Sequence, residues 1–223
     1  CNYIRLAHYT HNETMLRLAD EVGLMVWAEV PVYWTISWGN AETYKNAENQ
    51  LAVGIERDKN RASVIIWSVG NETPVSEERN VFMGKLIDKV RSLDDTRLVA
   101  AALEVERDGY NVTIEDPLGD KLDLASFNEY GGWYWSEPKE LPKYKWEIKF
   151  NKPVVISEFG ADALGGYHAD EDTVWSEEHQ DLVYKKQLEM LDKIDGLRGM
   201  TPWILTDFKS PRRQNPIYQN FWN

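Results

Sequence analysis

The chain has 223 residues and a formal net charge of −12, with 25 Lys and Arg against 37 Asp and Glu. Binding a phosphate backbone takes clustered Lys and Arg, and no such cluster occurs, which excludes a nucleic-acid partner. No apolar run approaches the roughly 18 residues of a membrane span, and Cys1 is the only cysteine, which excludes an internal disulfide and any thiolate metal site.

Apolar strand candidates recur at 3–7, 24–30, 64–70, 98–103, 124–130, 154–160 and 200–205. Helical patterns lie between several of them: 13–22 closed by Gly23, 41–59, 76–93, and 177–194 closed by Gly196. This alternation predicts an α/β fold with a parallel sheet and crossover helices, of the (β/α)8 TIM-barrel kind. The count is one strand short of a closed barrel, and no helix precedes the first candidate. The expectation is a truncated barrel over 1–223, lacking its first strand and last helix, with a non-Met first residue pointing the same way.

Two segments carry the chemistry. Val64-Ile65-Ile66-Trp67 runs into Ser68-Val69-Gly70-Asn71-Glu72, and Val154-Val155-Ile156 runs into Ser157-Glu158-Phe159-Gly160. Each reads as a buried parallel strand ending in a glutamate, and in such barrels strand ends are where side chains meet substrate. Paired carboxylates there can hydrolyse a glycosidic bond, one protonating the leaving oxygen and the other supporting the oxocarbenium-like centre. The bland alternative is a pair of ordinary exposed acids. The long irregular stretches are rich in Trp and Tyr, among them Trp34, Trp38, Trp133, Tyr134, Trp135, Trp175 and Trp222. Flat aromatic faces suit stacking on sugar rings, and they equally suit packing loops onto a barrel.

Five separated motifs, Arg5-Leu6-Ala7-His8-Tyr9, Ala19-Asp20-Glu21-Val22-Gly23-Leu24, Asp58-Lys59-Asn60-Arg61-Ala62-Ser63-Val64, Trp67-Ser68-Val69-Gly70-Asn71-Glu72 and Ser157-Glu158-Phe159-Gly160, together resemble the catalytic barrel of glycoside hydrolase family 2. That family holds β-galactosidases, β-glucuronidases and β-mannosidases. Asn128-Glu129-Tyr130-Gly131-Gly132-Trp133-Tyr134 and Trp175-Ser176-Glu177-Glu178-His179-Gln180 look most like its β-glucuronidase branch.

The resemblance implies a retaining exo-β-glycosidase with Glu72 as acid/base and Glu158 as nucleophile. The acid role asks for a proton on Glu72, favoured by partial burial or a neighbouring negative charge, while Glu158 must stay ionised. Asn71 would bind the 2-hydroxyl, Tyr130 would hold the nucleophile, and His8 and Glu29 would meet the sugar. For Glu29, a pairing with Arg5 is the equal alternative. Asn128 and Tyr134 join the substrate set through the β-glucuronidase-like stretch, and Trp203, on the last strand, would floor the sugar subsite. Asp162 and Asp207 are weaker candidates, since an Asp at a loop start often caps a helix. Arg212 and Arg213 are candidates for pairing with a sugar carboxylate.

Tyr33 and Thr35 stand where the large β-galactosidases of the family carry magnesium ligands, so no metal and no other cofactor is expected. The partner is a carbohydrate substrate, with no nucleic acid and no membrane. The resemblance implies β-sandwich domains beyond this segment and leaves homo-oligomerisation open. Three sequons, at Asn12, Asn71 and Asn111, read as chance because a glycan at Asn71 would block the site. A bacterial cytoplasm or periplasm is the expected setting, with no residue that fixes it. β-Galactosidase activity and a noncatalytic sugar-binding fragment are the rival readings.

Overall fold

The computed structural model describes residues 1–208. β1 (Tyr3–Leu6) leads to α1 (Glu13–Val22), β2 (Met25–Glu29) to α2 (Ala41–Asp58), and β3 (Val64–Asn71) to α3 (Glu77–Leu93). Then come β4 (Leu98–Leu103), the short β5 (Glu106–Asp108) and β6 (Asn111–Ile114), β7 (Ala125–Glu129) and β8 (Lys145–Ile148). β9 (Val154–Phe159), α4 (Glu177–Leu191) and β10 (Leu197–Met200) follow. The larger sheet has the order β1-β2-β3-β4-β7-β9-β10 and the smaller β5-β6-β8. Every register defined in the larger sheet is parallel. By contacts the chain forms two compact units.

The first unit comprises Cys1–Asn128, Lys145–Ser157 and Ile194–Thr201. Its helices start at side-chain caps that satisfy otherwise orphaned amides: Asn12 accepts from Thr14, Asn40 from Glu42 and Thr43, and Ser76 from Arg79. Trp27, Ile66, Ala100, Leu124 and Val155 form one buried cluster, with Tyr3 and Ile65 packed against it. β2, β3, β4 and β9, with Leu124 just before β7, thus contribute side chains to a common layer, as in barrel interiors. A fully buried Arg79–Asp116 pair, 2.6 Å between Nη2 and Oδ2, joins the start of α3 to the segment after β6. Arg79 also donates to Thr73 at 2.8 Å, which fixes the turn after β3.

Gly70 is needed where it stands, because a Cβ there would lie 2.6 Å from Met83 Cε and 2.9 Å from the Val32 carbonyl. Its absence lets the chain leaving β2 lie against the end of β3. Asn71 N–H donates to Val32 O at 2.9 Å and Trp34 N–H to Asn71 O at 3.0 Å.

The second unit comprises Glu129–Tyr144, Glu158–Lys193 and Pro202–Asn223, its described part ending at Phe208. Ser176 caps α4 by accepting from His179 N–H. Buried Gln187 donates to Gly131 O at 2.7 Å and Gly160 O at 3.3 Å. Gly160 has φ +127°, and a Cβ on it would meet Tyr184 Oη at 2.4 Å, so only glycine fits beside the end of β9.

The sequence pattern and the structure part in three places. The apolar run 200–205 is not the last strand; β10 pairs Leu197 with Val154 and Met200 with Ile156. Pro202 has no N–H for a ladder, and Trp203 lies beyond the strand rather than on it. The helix pattern 177–194 stops at Leu191, with Asp192 as its cap. The smaller sheet occupies stretches that read as irregular, because Glu106–Asp108 is fully exposed and shows no apolar alternation.

Candidate active site

In the first unit, β1 and β2 are in register with Arg5 opposite Trp27. Glu29, at the end of β2, is completely buried and its carboxylate is saturated with donors. Arg5 Nη2 reaches both oxygens at 2.9 Å, His8 Nδ1 lies 2.8 Å from Oε1, and Trp27 Nε1 and Ser68 Oγ each donate to Oε2 at 2.8 Å. Burial alone would raise this carboxyl, but the Arg5 charge and the His8 hydrogen bond outweigh it and hold it at about 2. Glu29 is therefore an ionised anchor for Arg5 and His8, the alternative the sequence left open. Arg5 passes the order on, donating to Asn71 Oδ1 at 2.8 Å and to Ser157 O at 3.2 Å.

Glu72 follows β3 with φ +47°, and Trp34 has φ +55°. Left-handed backbone at a residue with a Cβ costs about 1–2 kcal/mol, and such residues concentrate at functional sites. The two meet: Trp34 Nε1 donates to Glu72 Oε2 at 3.0 Å, while Asn128 Nδ2 donates to Oε1 at 2.9 Å. Asn128 also donates to Asn71 Oδ1 at 3.0 Å and accepts from Ser157 Oγ at 2.7 Å. Glu29, Arg5, Asn71, Asn128 and Glu72 thus form one continuous network. A further acid stands near it, half-buried Glu104 just beyond β4. Burial pushes its carboxyl up, and the charges of Glu72 and Asp116 add to the rise.

In the second unit, Glu158 is 6% exposed and accepts a 2.6 Å hydrogen bond from Tyr130 Oη. Tyr134 lies over Tyr130 with ring centroids 5.2 Å apart. Trp203, half-buried, donates its backbone N–H to Phe159 O at 2.8 Å. Among the described residues, Asp162 and Asp207 cap no helix. Arg212, Arg213 and Trp222 lie outside the described residues.

The structure thus brings His8, Glu29, Asn71, Glu72 and Asn128 together in one unit, and Tyr130, Tyr134 and Glu158 in the other. Ser68 and Ser157 are site residues to which sequence reasoning gave no role, and Arg5 entered it only as the alternative partner of Glu29. Arg5 carried a signal: it shares strand parity with Tyr3, which packs on the core, so its charge points inward and needs a buried acid. The aromatic residues divide. Trp38 packs edge-on against Phe82, Trp133 against Trp175 and Trp135 against Tyr144. Tyr33, Trp34 and Tyr134 stay exposed.

Parallel strands, crossover helices and carboxylates at the strand ends define a TIM-barrel domain. The chain belongs to glycoside hydrolase family 2: residues 1–220 match the family model described as "Glycosyl hydrolases family 2, TIM barrel domain". It is 31% identical to the "Beta-glucuronidase" of Paenibacillus borealis, over 93% of this chain and 37% of that protein. The "Beta-glucuronidase" of Mus musculus is 30% identical, over 97% of this chain and 34% of that protein. Among solved structures, an uncultured Clostridium sp. β-glucuronidase superposes with TM-score 0.82 at 25% identity, covering 99% of this chain and 40% of its own. A β-galacturonidase from Eisenbergiella tayi, bound to galacturonate, gives TM-score 0.79 at 26% identity, over 94% of this chain and 38% of its own. The chain therefore spans well under half the length of each.

Proposed function

We propose that this chain is the catalytic barrel of a retaining exo-β-glycosidase whose substrate is a β-glucuronide. The observation that carries the reading is the 2.6 Å hydrogen bond from Tyr130 to Glu158, a contact the family resemblance requires of these two positions. A phenol donor orients the nucleophile and favours its ionised form. Glu158 attacks the anomeric carbon while Glu72 gives its proton to the leaving oxygen. Glu72 then takes a proton from the water that releases the sugar from Glu158. Asn71 accepts from Arg5 and Asn128 through its carbonyl oxygen, leaving its amide N–H groups to meet the 2-hydroxyl. His8, steadied by Glu29, contacts the sugar. Trp203 and Tyr134 contribute aromatic surface, and Arg212 and Arg213 supply the cations that an anionic sugar needs on an acidic protein. No metal enters the scheme.

A β-galacturonide is the second reading, favoured by the likeness to the Eisenbergiella tayi enzyme; a β-galactoside is the third. The test is hydrolysis of the three 4-nitrophenyl β-glycosides by the intact protein, with Arg212→Ala and Arg213→Ala alongside. Preference for a uronide that the arginine variants weaken supports the carboxylate reading. Preference for the galactoside removes it. Glu158→Ala should abolish turnover, with azide restoring it and inverting the product. Labelling of another carboxylate by a mechanism-based fluoroglycoside overturns the assignment. Retention further requires carboxyl groups of Glu72 and Glu158 about 5–5.5 Å apart in a crystal structure.

A further inference from the structure

We infer that Tyr33 and Trp34 form the leaving-group subsite of this protein and that it takes a planar aromatic aglycone. The inference rests on the acid/base role proposed for Glu72. A general acid must reach the glycosidic oxygen, so whatever flanks its carboxylate flanks the first atoms of the leaving group. Here that neighbour is the Trp34 indole, 3.0 Å from Glu72 Oε2 through its N–H. Trp34 as a residue nevertheless stays 47% exposed, and Tyr33 beside it is 39% exposed. The two rings meet edge to face at 5.7 Å and 86°, and Tyr33 also lies 5.6 Å from the His8 ring. The nearby Trp38 points instead onto Phe82.

Backbone contacts hold the pair in place. Trp34 N–H is fixed on Asn71 O, Tyr33 bridges to Asn71, and Gly70 opens the space that lets this segment approach. A rigidly mounted, half-bare aromatic pair, tied at one end to the proton donor, offers an aryl group both a flat face and an edge to stack on. An alkyl group gains less from such a surface.

The experiment uses the intact protein and measures inhibition constants of the phenyl and methyl 1-thio-β-glycosides of whichever sugar it hydrolyses. These probes share the sugar and separate aglycone binding from leaving-group chemistry. We expect phenyl to bind about 10-fold or more tightly than methyl in the wild type, an aromatic-contact effect. Trp34→Leu should bring the ratio close to one. Trp34→Phe should keep most of it while lowering kcat, because the ring remains and the N–H to Glu72 is gone. Tyr33→Leu, which touches no hydrogen bond of Glu72, should lower the ratio several-fold and keeps the test alive if Trp34→Leu does not fold. A ratio near one in the wild type, or one unchanged in Trp34→Leu and Tyr33→Leu, overturns the inference and leaves the glycosidase reading standing. Failure of the wild type to hydrolyse any β-glycoside overturns that reading and this one together.

Discussion

The ends of β2 and β3 both present a glutamate, and their surroundings differ in kind. Glu29 is buried and ringed by a guanidinium, an imidazole, an indole and a hydroxyl. Glu72 is half-buried, and its described hydrogen bonds come from an amide and an indole, both neutral. A permanent cation fixes one charge state, because losing the carboxylate's charge would strand a buried guanidinium. Neutral donors orient a carboxylate without committing it to one charge. The same residue type at equivalent strand ends is thus locked to a cation in one place and held by neutral donors in the other.

Changing each acid to its amide tests this division most severely. Glu72→Gln should lower kcat on a phenyl glycoside by about 10²–10⁴-fold, the usual contribution of a general acid, while barely moving the unfolding transition. A large stability loss in Glu72→Gln would place it with Glu29 as a structural acid. Glu29→Gln should do the reverse first, destabilising the fold by about 3–5 kcal/mol by leaving Arg5 buried without its counter-charge. The sign of its pH dependence follows from the lowered carboxyl. With a folded value of about 2 against an ordinary value of 4.5, the ion pair stabilises fully above about pH 4.5. That contribution fades as pH falls toward about 2. Urea midpoints of wild type and Glu29→Gln should therefore converge on acidification, and a constant gap between pH 7 and 3 would show that Arg5 does not set the charge.

Gly70→Ala probes what brings Trp34 to Glu72. The added methyl would sit 2.9 Å from the Val32 carbonyl, and backbone yields less readily than the Met83 side chain. A destabilisation of about 1–3 kcal/mol, typical of overpacking, is expected together with a fall in kcat. Full activity with only lost stability would mean that the chain after β2 can shift without carrying Trp34 away.

How much of this was legible in the sequence depended on where each signal lived. The β-branched runs of β3 and β9 are buried over nearly their whole length, so the apolar pattern marked them to within a residue or so. The starts of α1, α2 and α3 follow cap residues that act locally. By contrast, β10 has no apolar run: Leu197-Arg198-Gly199-Met200 becomes a strand through its pairing with β9, a tertiary cause. Glu72, Glu158 and Tyr130 stood out because motifs place them at strand ends. The roles of Ser157 and Trp34 depend on partners 29 and 38 residues away in the chain, which no local pattern encodes.

The smallest expected effect concerns the third acid, Glu104, and it should run opposite in sign to that of Glu29. Burial raises its carboxyl, Glu72 and Asp116 add to the rise, and Arg79 and Arg107 offset part of it. An acid raised in the folded state is bound more tightly by its proton there than in the unfolded chain. Below about pH 4.5 both states hold the proton and Glu104 leaves stability unchanged; as pH climbs through the raised folded value, the penalised charge appears and stability is lost. Glu104→Gln lacks that penalty. Because the side chain is half-exposed, solvent screening should keep the gain at neutral pH to under about 1 kcal/mol. Thermal melts of the intact protein should thus show Glu104→Gln slightly more stable than wild type at pH 7 and equal to it near pH 4. A variant less stable at pH 7 would mean that the ionised carboxylate of Glu104 is supported by its surroundings rather than penalised by them.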